Sequence, residues 1–431
     1  MTSLDTARPH SVPTGATRGA PWARGVLHGL LYLIILSSFY TSVQPSPYEF
    51  LFLPLLLACL FARVPVDIKL MPLILLLLVL EAGGLASLIP VLDDSVSRDF
   101  MVISVYLALS AIIFACIFSE DSVKRLSTVR SAYVLSAVIA TLLGIVGYFD
   151  LFPGSDEFLR HGRILSTFKD PNIYGPFLIL PLLLLIERFI AGTIRVRHVL
   201  AAMILLVGLL LSYSRASWGN FALSAGVMLA LLFVTAPDRR ARMRLVWLTI
   251  VAVVGVVVLF FALYSIDGVR EMFEQRAVLL QEYDTGTSGA RFSIQAKSIE
   301  EFLQHPNGMG PWVFGRTYGL VEHNSYFGTM LNHGWIGGIA YVGIVLATLV
   351  LGFRASLIRT PWQHFLIVTY ASFTGLALVA SLLHNTDHWR YYYLMLGIIW
   401  GLAAATENAR RRALVQRSGP RLHSPQALSA H

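Results

Sequence analysis

Charge is scarce in this sequence. Asp, Glu, Lys and Arg make up 13% of its 431 residues, where a soluble domain carries roughly 25%. So little charge cannot solvate a globular surface, whereas a chain that is 56% hydrophobic suits one that mostly faces lipid. Cysteine is scarcer still. Cys59 and Cys116 both lie inside apolar runs and read as buried thiols, and a metal site would want more Cys and His at ligand spacing. No DxD-type acidic pair, phosphate-cradling glycine loop or Ser-His-Asp order occurs, so neither divalent-metal chemistry nor a cofactor is indicated. The net charge of +8 does not describe a nucleic-acid face, because Lys and Arg cluster between hydrophobic runs rather than along one surface.

What the chain does have is apolar runs long enough to cross a bilayer. They fall near 25–43, 48–62, 70–91, 100–118, 131–149, 173–191, 198–213, 216–235, 244–265, 326–352, 362–383 and 391–406. Lipid offers no partner for backbone N–H and C=O, so each span is expected to be helical. The expected fold is all-α and polytopic, with about twelve transmembrane helices. Most of the 33 Lys and Arg fall in alternate connections, such as Arg63 with Lys69, Arg239 to Arg244, and Arg410 to Arg412. That alternation predicts both termini inside. Residues 1–24 read as a cytoplasmic tail without a cleavable signal, 25–406 as the helical domain, and 407–431 as a basic cytoplasmic tail. One large outer loop interrupts the domain near 266–325. Helical spacing within it predicts two short amphipathic helices, one through Val269, Met272, Phe273 and Arg276, the other through Phe292, Gln295, Ile299, Phe302 and Leu303 after a Ser288 cap.

Arginine beside a lipid-embedded helix end is costly unless paired or wet, so each one there is a candidate site. Arg163, Arg215, Arg291 and Arg390 are the outer-face examples. Arg215 lies in a tight turn between two apolar helices, where it serves either as a snorkelling anchor or as an anion ligand. Arg291 opens a helix, a good place to hold phosphate. Arg390, among aromatics, suits an interfacial anchor or a ligand. His323 stands where the long loop re-enters the membrane, and imidazole there can act as base, acid or phosphate donor. Its neighbour Asn324 can orient the histidine or bond a sugar hydroxyl. Gly334 and Gly337 read as close helix packing. The remaining outer histidines (His161, His305, His333, His384 and His388) carry less weight, and so does Glu81.

These residues occur in an order that resembles the O-antigen ligase and polymerase superfamily of bacterial membrane glycosyltransferases. His323-Asn324, nine residues, then Gly334-Trp-Ile-Gly337 is similar to its histidine signature. Phe168-Lys-Asp170-Pro171-Asn172 with Gly175, the Leu211-Ser212-Tyr-Ser214-Arg215-Ala216 turn, and Arg291 followed by Asn307-Gly308-Met-Gly310 resemble further family segments. The resemblance spans residues 160–340 and departs at His305-Pro306-Asn307, where an apolar residue often follows the proline. It implies an undecaprenyl-pyrophosphate-linked oligosaccharide as donor and inverting attack by an acceptor hydroxyl, at the outer face of the bacterial inner membrane. Neither a nucleotide sugar nor a metal is implied. Arg215 and Arg291 would hold the pyrophosphate and His323 would activate the acceptor or bind phosphate. Arg163, Asn324, Asn172 and Arg390 would contact substrate, and the apolar wall would take the polyprenyl chain.

A polysaccharide polymerase, whose acceptor is a second lipid-linked repeat unit, is the first reading. A chain-length regulator protein is a further partner it admits. A ligase onto lipid A core is the alternative, and a protein acceptor is a third. A transporter or flippase fits less well, because no inverted repeat or matched pair of broken helices is apparent. Reporter fusions should place residue 300 outside and residue 240 inside; the reverse would overturn the topology.

Overall fold

The computed structural model describes residues 20–120, 122–192, 195–276 and 291–418. The expected Ser288 cap and most of both tails lie outside the described residues. Each of the twelve apolar runs lies on a helix. In chain order these begin with α1 (Pro21–Leu36), α2 (Pro47–Phe61), α3 (Met71–Leu88), α4 (Ser95–Ser119) and α5 (Ser122–Tyr148). A two-stranded hairpin, β1 (Leu159–Arg160) and β2 (Arg163–Ile164), precedes α6 (Pro171–Phe177) and α7 (Ile179–Ile190). Then come α8 (Val196–Leu211), α9 (Arg215–Thr235) and α10 (Arg239–Tyr264). The long loop carries α11 (Asp267–Arg276), α12 (Arg291–Gln304) and α13 (Val313–Tyr318). The chain closes with α14 (Ser325–Ser356), α15 (Gln363–Leu383) and α16 (Arg390–Ser418). Among the described residues nine helices are long and apolar enough to cross a membrane, and α2 and α8 are shorter apolar helices. The chain is an all-α, multi-pass membrane protein.

Helix ends follow local chemistry. Pro21, Pro47 and Pro171 occupy first turns, where a missing N–H costs nothing. Ser46 and Glu49 form a reciprocal capping box at α2. Asp170, Ser214, Asp238 and Asn324 cap α6, α9, α10 and α14 through their side-chain oxygens. The last helix runs on to Ser418, past the expected end at 406, because its polar final turns extend an unbroken ladder.

The principal pairings are α4 with α16, α3 with α14, and α9 with α15. α10 is the exception to dense packing. Only 6% of its apolar window is buried, so nearly its whole circumference faces outward, as expected of a helix that presents itself to lipid.

The two glycines expected to serve close packing divide the work. Gly337 does so: a Cβ on its partner Gly83 would meet Gly337 N at 2.8 Å. Gly334 instead breaks α14, with φ 67° and ψ −178°, a conformation open essentially to glycine alone. The break frees backbone groups, and the Pro306–Met309 turn of the long loop takes them up. Trp335 N donates to Pro306 O at 2.8 Å, and Met309 N donates to Leu331 O at 2.9 Å. A Cβ at Gly334 would lie 2.8 Å from the carbonyl carbon of Asn307. Gly334→Ala is expected to cost at least about 1–3 kcal/mol, read as a lower unfolding midpoint in detergent. An unchanged midpoint would refute the strained break.

Candidate functional site at one end of the bundle

The loop before α6 contains a feature that the sequence reading passed over. His161 and Gly162, with φ of 51° and 70°, make a primed-type turn between β1 and β2. The hairpin aims Arg163 back at the bundle. Its Nε donates to Ser212 O and one terminal nitrogen donates to Asn172 Oδ1, both at 2.9 Å. Asn172 Oδ1 also accepts from Ser214 Oγ at 2.9 Å. One amide oxygen therefore ties the hairpin, the start of α6 and the Ser212–Arg215 turn together. Arg215 is half-buried as the first residue of α9, directly after its Ser214 cap.

α11 covers that turn with the face its spacing predicts. Val269 and Phe273 are buried, with Phe273 packing on Tyr213 at 5.0 Å and on Trp218 at 5.6 Å between ring centroids. The Arg276 side chain lies outside the described residues. α12 is amphipathic as expected, but its buried face is rotated. Ile294, Ser298 and Glu301 point inward, while Phe292, Ile299 and Leu303 are exposed. Arg291 and Gln295, one turn apart, share the side facing His323. Gln295 Nε2 donates to His323 O at 3.1 Å and to Leu382 O at 3.2 Å. These bonds hold His323 in a left-handed conformation, φ 48°, that is costly for a non-glycine residue.

Between these elements lies a cavity of about 390 Å³. Asn172, His323 and Arg390 line it, together with Asp170, His384, Asn385, Asp387 and His388. Burial, then the charge of Arg291, pushes the His323 imidazole down to about 4, so it is neutral near pH 7. Burial and the charges of Arg291, His323 and Arg163 hold His384 well below the usual histidine range. At the other end the balance reverses. His388 Nδ1 meets Asp387 Oδ2 at 3.0 Å. Burial disfavours the charged ring, but the Asp387 hydrogen bond and charge outweigh it, and the His388 pKa is raised. Glu322, buried and bonded by Asn385, is pushed up to about 7 by burial and by Asp387.

Asn324 caps α14, accepting from Tyr326 N at 3.0 Å and Phe327 N at 3.2 Å, so its side-chain oxygen is occupied by the helix end rather than by His323. Arg390 lines the cavity with its charge already paired: it meets Glu49 at 2.5 Å and lies over the Tyr48 ring. His333, grouped by sequence with the loop histidines, sits inside α14. It is buried, and its Nε2 lies 3.3 Å from Ser104 Oγ, which bonds Glu81 at 3.0 Å. Glu322 gave no sequence signal beyond being a carboxylate one residue before His323. The Asp387–His388 wall was legible only as unusual polar density between two apolar helices. Among the described residues no group of three or more His, Cys, Asp or Glu is placed to hold a metal ion.

A multi-pass bundle thus holds at one end a polar cavity lined by His323, His384 and Arg390. Residues 200–342 match the family model described as O-antigen ligase, a segment that contains Arg215, Arg291 and His323. Over that segment, about a third of the chain, the protein is similar to the O-antigen ligase family, which supports a ligase- or polymerase-type, glycosyltransferase-like function on lipid-linked glycans. No curated protein matches the chain.

Gln295→Ala should lower glycan transfer about tenfold, equivalent to about 1.4 kcal/mol in the barrier, while the protein purifies as a folded monodisperse sample. Full activity would show that the bonds to His323 O and Leu382 O do not position the histidine.

Proposed function

We propose that this protein is a polysaccharide polymerase working at the periplasmic face of the bacterial inner membrane. It joins an undecaprenyl-pyrophosphate-linked glycan to the hydroxyl of a second lipid-linked repeat unit. The acceptor oxygen attacks the anomeric carbon, and the bond from that carbon to the pyrophosphate oxygen breaks. The electron pair leaves on the pyrophosphate, and the acceptor proton passes to a base. A leaving pyrophosphate needs fixed cations, and guanidinium forks match its oxygens. Arg215 and Arg291 fill that role, with Arg163 and Asn172 bracing the turn that carries Arg215. His323 takes the acceptor proton, a role open to an imidazole kept neutral near pH 7.

The observation that carries this reading is that His323 and His384 line one cavity with their rings 6.5 Å apart, and the charge of Arg291 acts on both. The family description favours a second reading, transfer of a finished glycan to lipid A core.

The test is analysis of surface and lipid-linked glycans in a deletion strain carrying wild type, Arg215→Ala, Arg215→Lys or His323→Ala. Single repeat units accumulating on lipid carrier, unrelieved by any of the three variants, are expected for the polymerase. Full-length polymer on the carrier, with none on lipid A core, would establish the ligase instead. Normal polymer with Arg215→Ala would remove the pyrophosphate assignment. Carrier-linked glycan stranded on the cytoplasmic side would replace the enzyme by a flippase.

A further inference from the structure

Charges of opposite sign act on different residues of the cavity, with Asp170 opposing the arginine at His323. Arg163 and Arg291 act on His384, and Arg291 acts on His323 as well. Asp387 and Glu322 govern the end at His388, where both are buried. Arg390 also reaches the cavity, but Glu49 at 2.5 Å offsets its charge. Lys169, another lining cation, donates to Gln44 Oε1 at 3.0 Å. The cation of that end, His388, is already paired with the Asp387 carboxylate and offers a pyrophosphate little, whereas a neutral polyol needs no counter-charge.

That end is also built to receive a donor hydrogen. Asp387 is 3% exposed and lines the cavity. Its Oδ2 is taken by His388, while Oδ1 has no hydrogen-bond partner among the described residues. A buried carboxylate oxygen left unmet costs about 1–3 kcal/mol or more, and native proteins seldom tolerate it. Beside it runs a row of rings. His388 lies 3.9 Å from Phe100 between centroids, and Phe100 lies 6.1 Å from Trp312. Trp312 is held in a left-handed conformation, φ 62°, while its N–H donates to Asn332 Oδ1 at 2.9 Å. The segment is pinned from below by Ser97 Oγ, which donates to Pro311 O at 2.7 Å. A strained residue secured on both sides is typical of a ligand clamp. Aromatic faces carry negative charge density, and a pyranose ring offers them its C–H face while its hydroxyls point outward.

We propose that Phe100, Trp312, Asp387 and His388 form the acceptor subsite, with a neutral sugar ring against the aromatic row and one of its hydroxyls donating to Asp387 Oδ1. This inference rests on the glycan-transfer reading of the same cavity. The donor pyrophosphate occupies the arginine end and the acceptor enters from the carboxylate end, so the two substrates meet near His323 and His384.

The test uses the full chain purified in detergent and two separate probes, read by tryptophan fluorescence and checked by calorimetry. One probe is the repeat-unit oligosaccharide released from the producing strain's own surface polysaccharide; the other is undecaprenyl pyrophosphate. Asp387→Ala and Trp312→Leu should each weaken oligosaccharide binding by about tenfold or more while undecaprenyl pyrophosphate binding stays within about twofold. Arg215→Ala should do the opposite. Oligosaccharide affinity within about twofold of wild type in both subsite variants would overturn the proposal, as would absence of oligosaccharide binding to wild type. Should Asp387→Ala lose both ligands through misfolding, Trp312→Leu decides alone. Failure of undecaprenyl pyrophosphate to bind wild type would instead defeat the donor assignment, with the oligosaccharide result still judging the subsite.

Discussion

The bonds from Trp335 N to Pro306 O and from Met309 N to Leu331 O carry more of this architecture than their number suggests. A helix broken next to hydrocarbon must have its freed groups met by protein, because lipid cannot meet them. Here the partner is the end of the long loop, so the break in α14 and the placement of α12 are one event. α12 in turn carries Arg291 and Gln295, and Gln295 grips the backbone of His323. The glycine, the loop turn, the arginine and the histidine are thus linked through backbone atoms, and residues far apart in sequence occupy fixed relative positions.

Much of this was legible from composition and order. Every apolar run became a helix because bilayer thickness and backbone satisfaction leave no alternative. The grouping of Arg163, Asn172 and Arg215 followed from motif order, and the structure adds its cause, an amide oxygen shared by two donors. Other features escaped for physical reasons. The Arg160–Arg163 hairpin is too short for alternation to register, and only the His161-Gly162 pair marks it. The inward face of α12 is set by what it docks against, since Glu301 is buried with Tyr318 as a partner that no local pattern reveals. Asn324 was expected to orient the histidine or bond a sugar hydroxyl; the open N–H groups of the helix's first turn take its side-chain oxygen, a capping role that its position just before the helix also fits. Asp387 and His388 each look solvated alone, and their meaning comes from facing Phe100, more than 280 positions earlier in the chain.

Burial works in opposite directions along the cavity. At His323 and His384 it combines with nearby arginines, so both rings lose protons readily. At His388 a carboxylate outweighs it, and at Glu322 it pushes the acid up to about 7. Neighbouring groups of similar intrinsic acidity are separated into different protonation states by position alone, the condition under which proton acceptors and hydrogen-bond partners can coexist a few ångströms apart.

The pairing of α4 with α16, and of α3 with α14, has a consequence for how the protein is made. α3 and α4 find their principal partners only among the helices synthesised last, whereas α1 packs on α2 and α5. Until α16 emerges, the face of α4 that carries Ala111, Phe114 and Phe118 lacks its principal cover. Until α14 emerges, Glu81 and Ser104 lack His333. The bundle therefore closes end to beginning at this seam, and the nascent chain must hold α3 and α4 in the bilayer with one face waiting until translation is nearly complete.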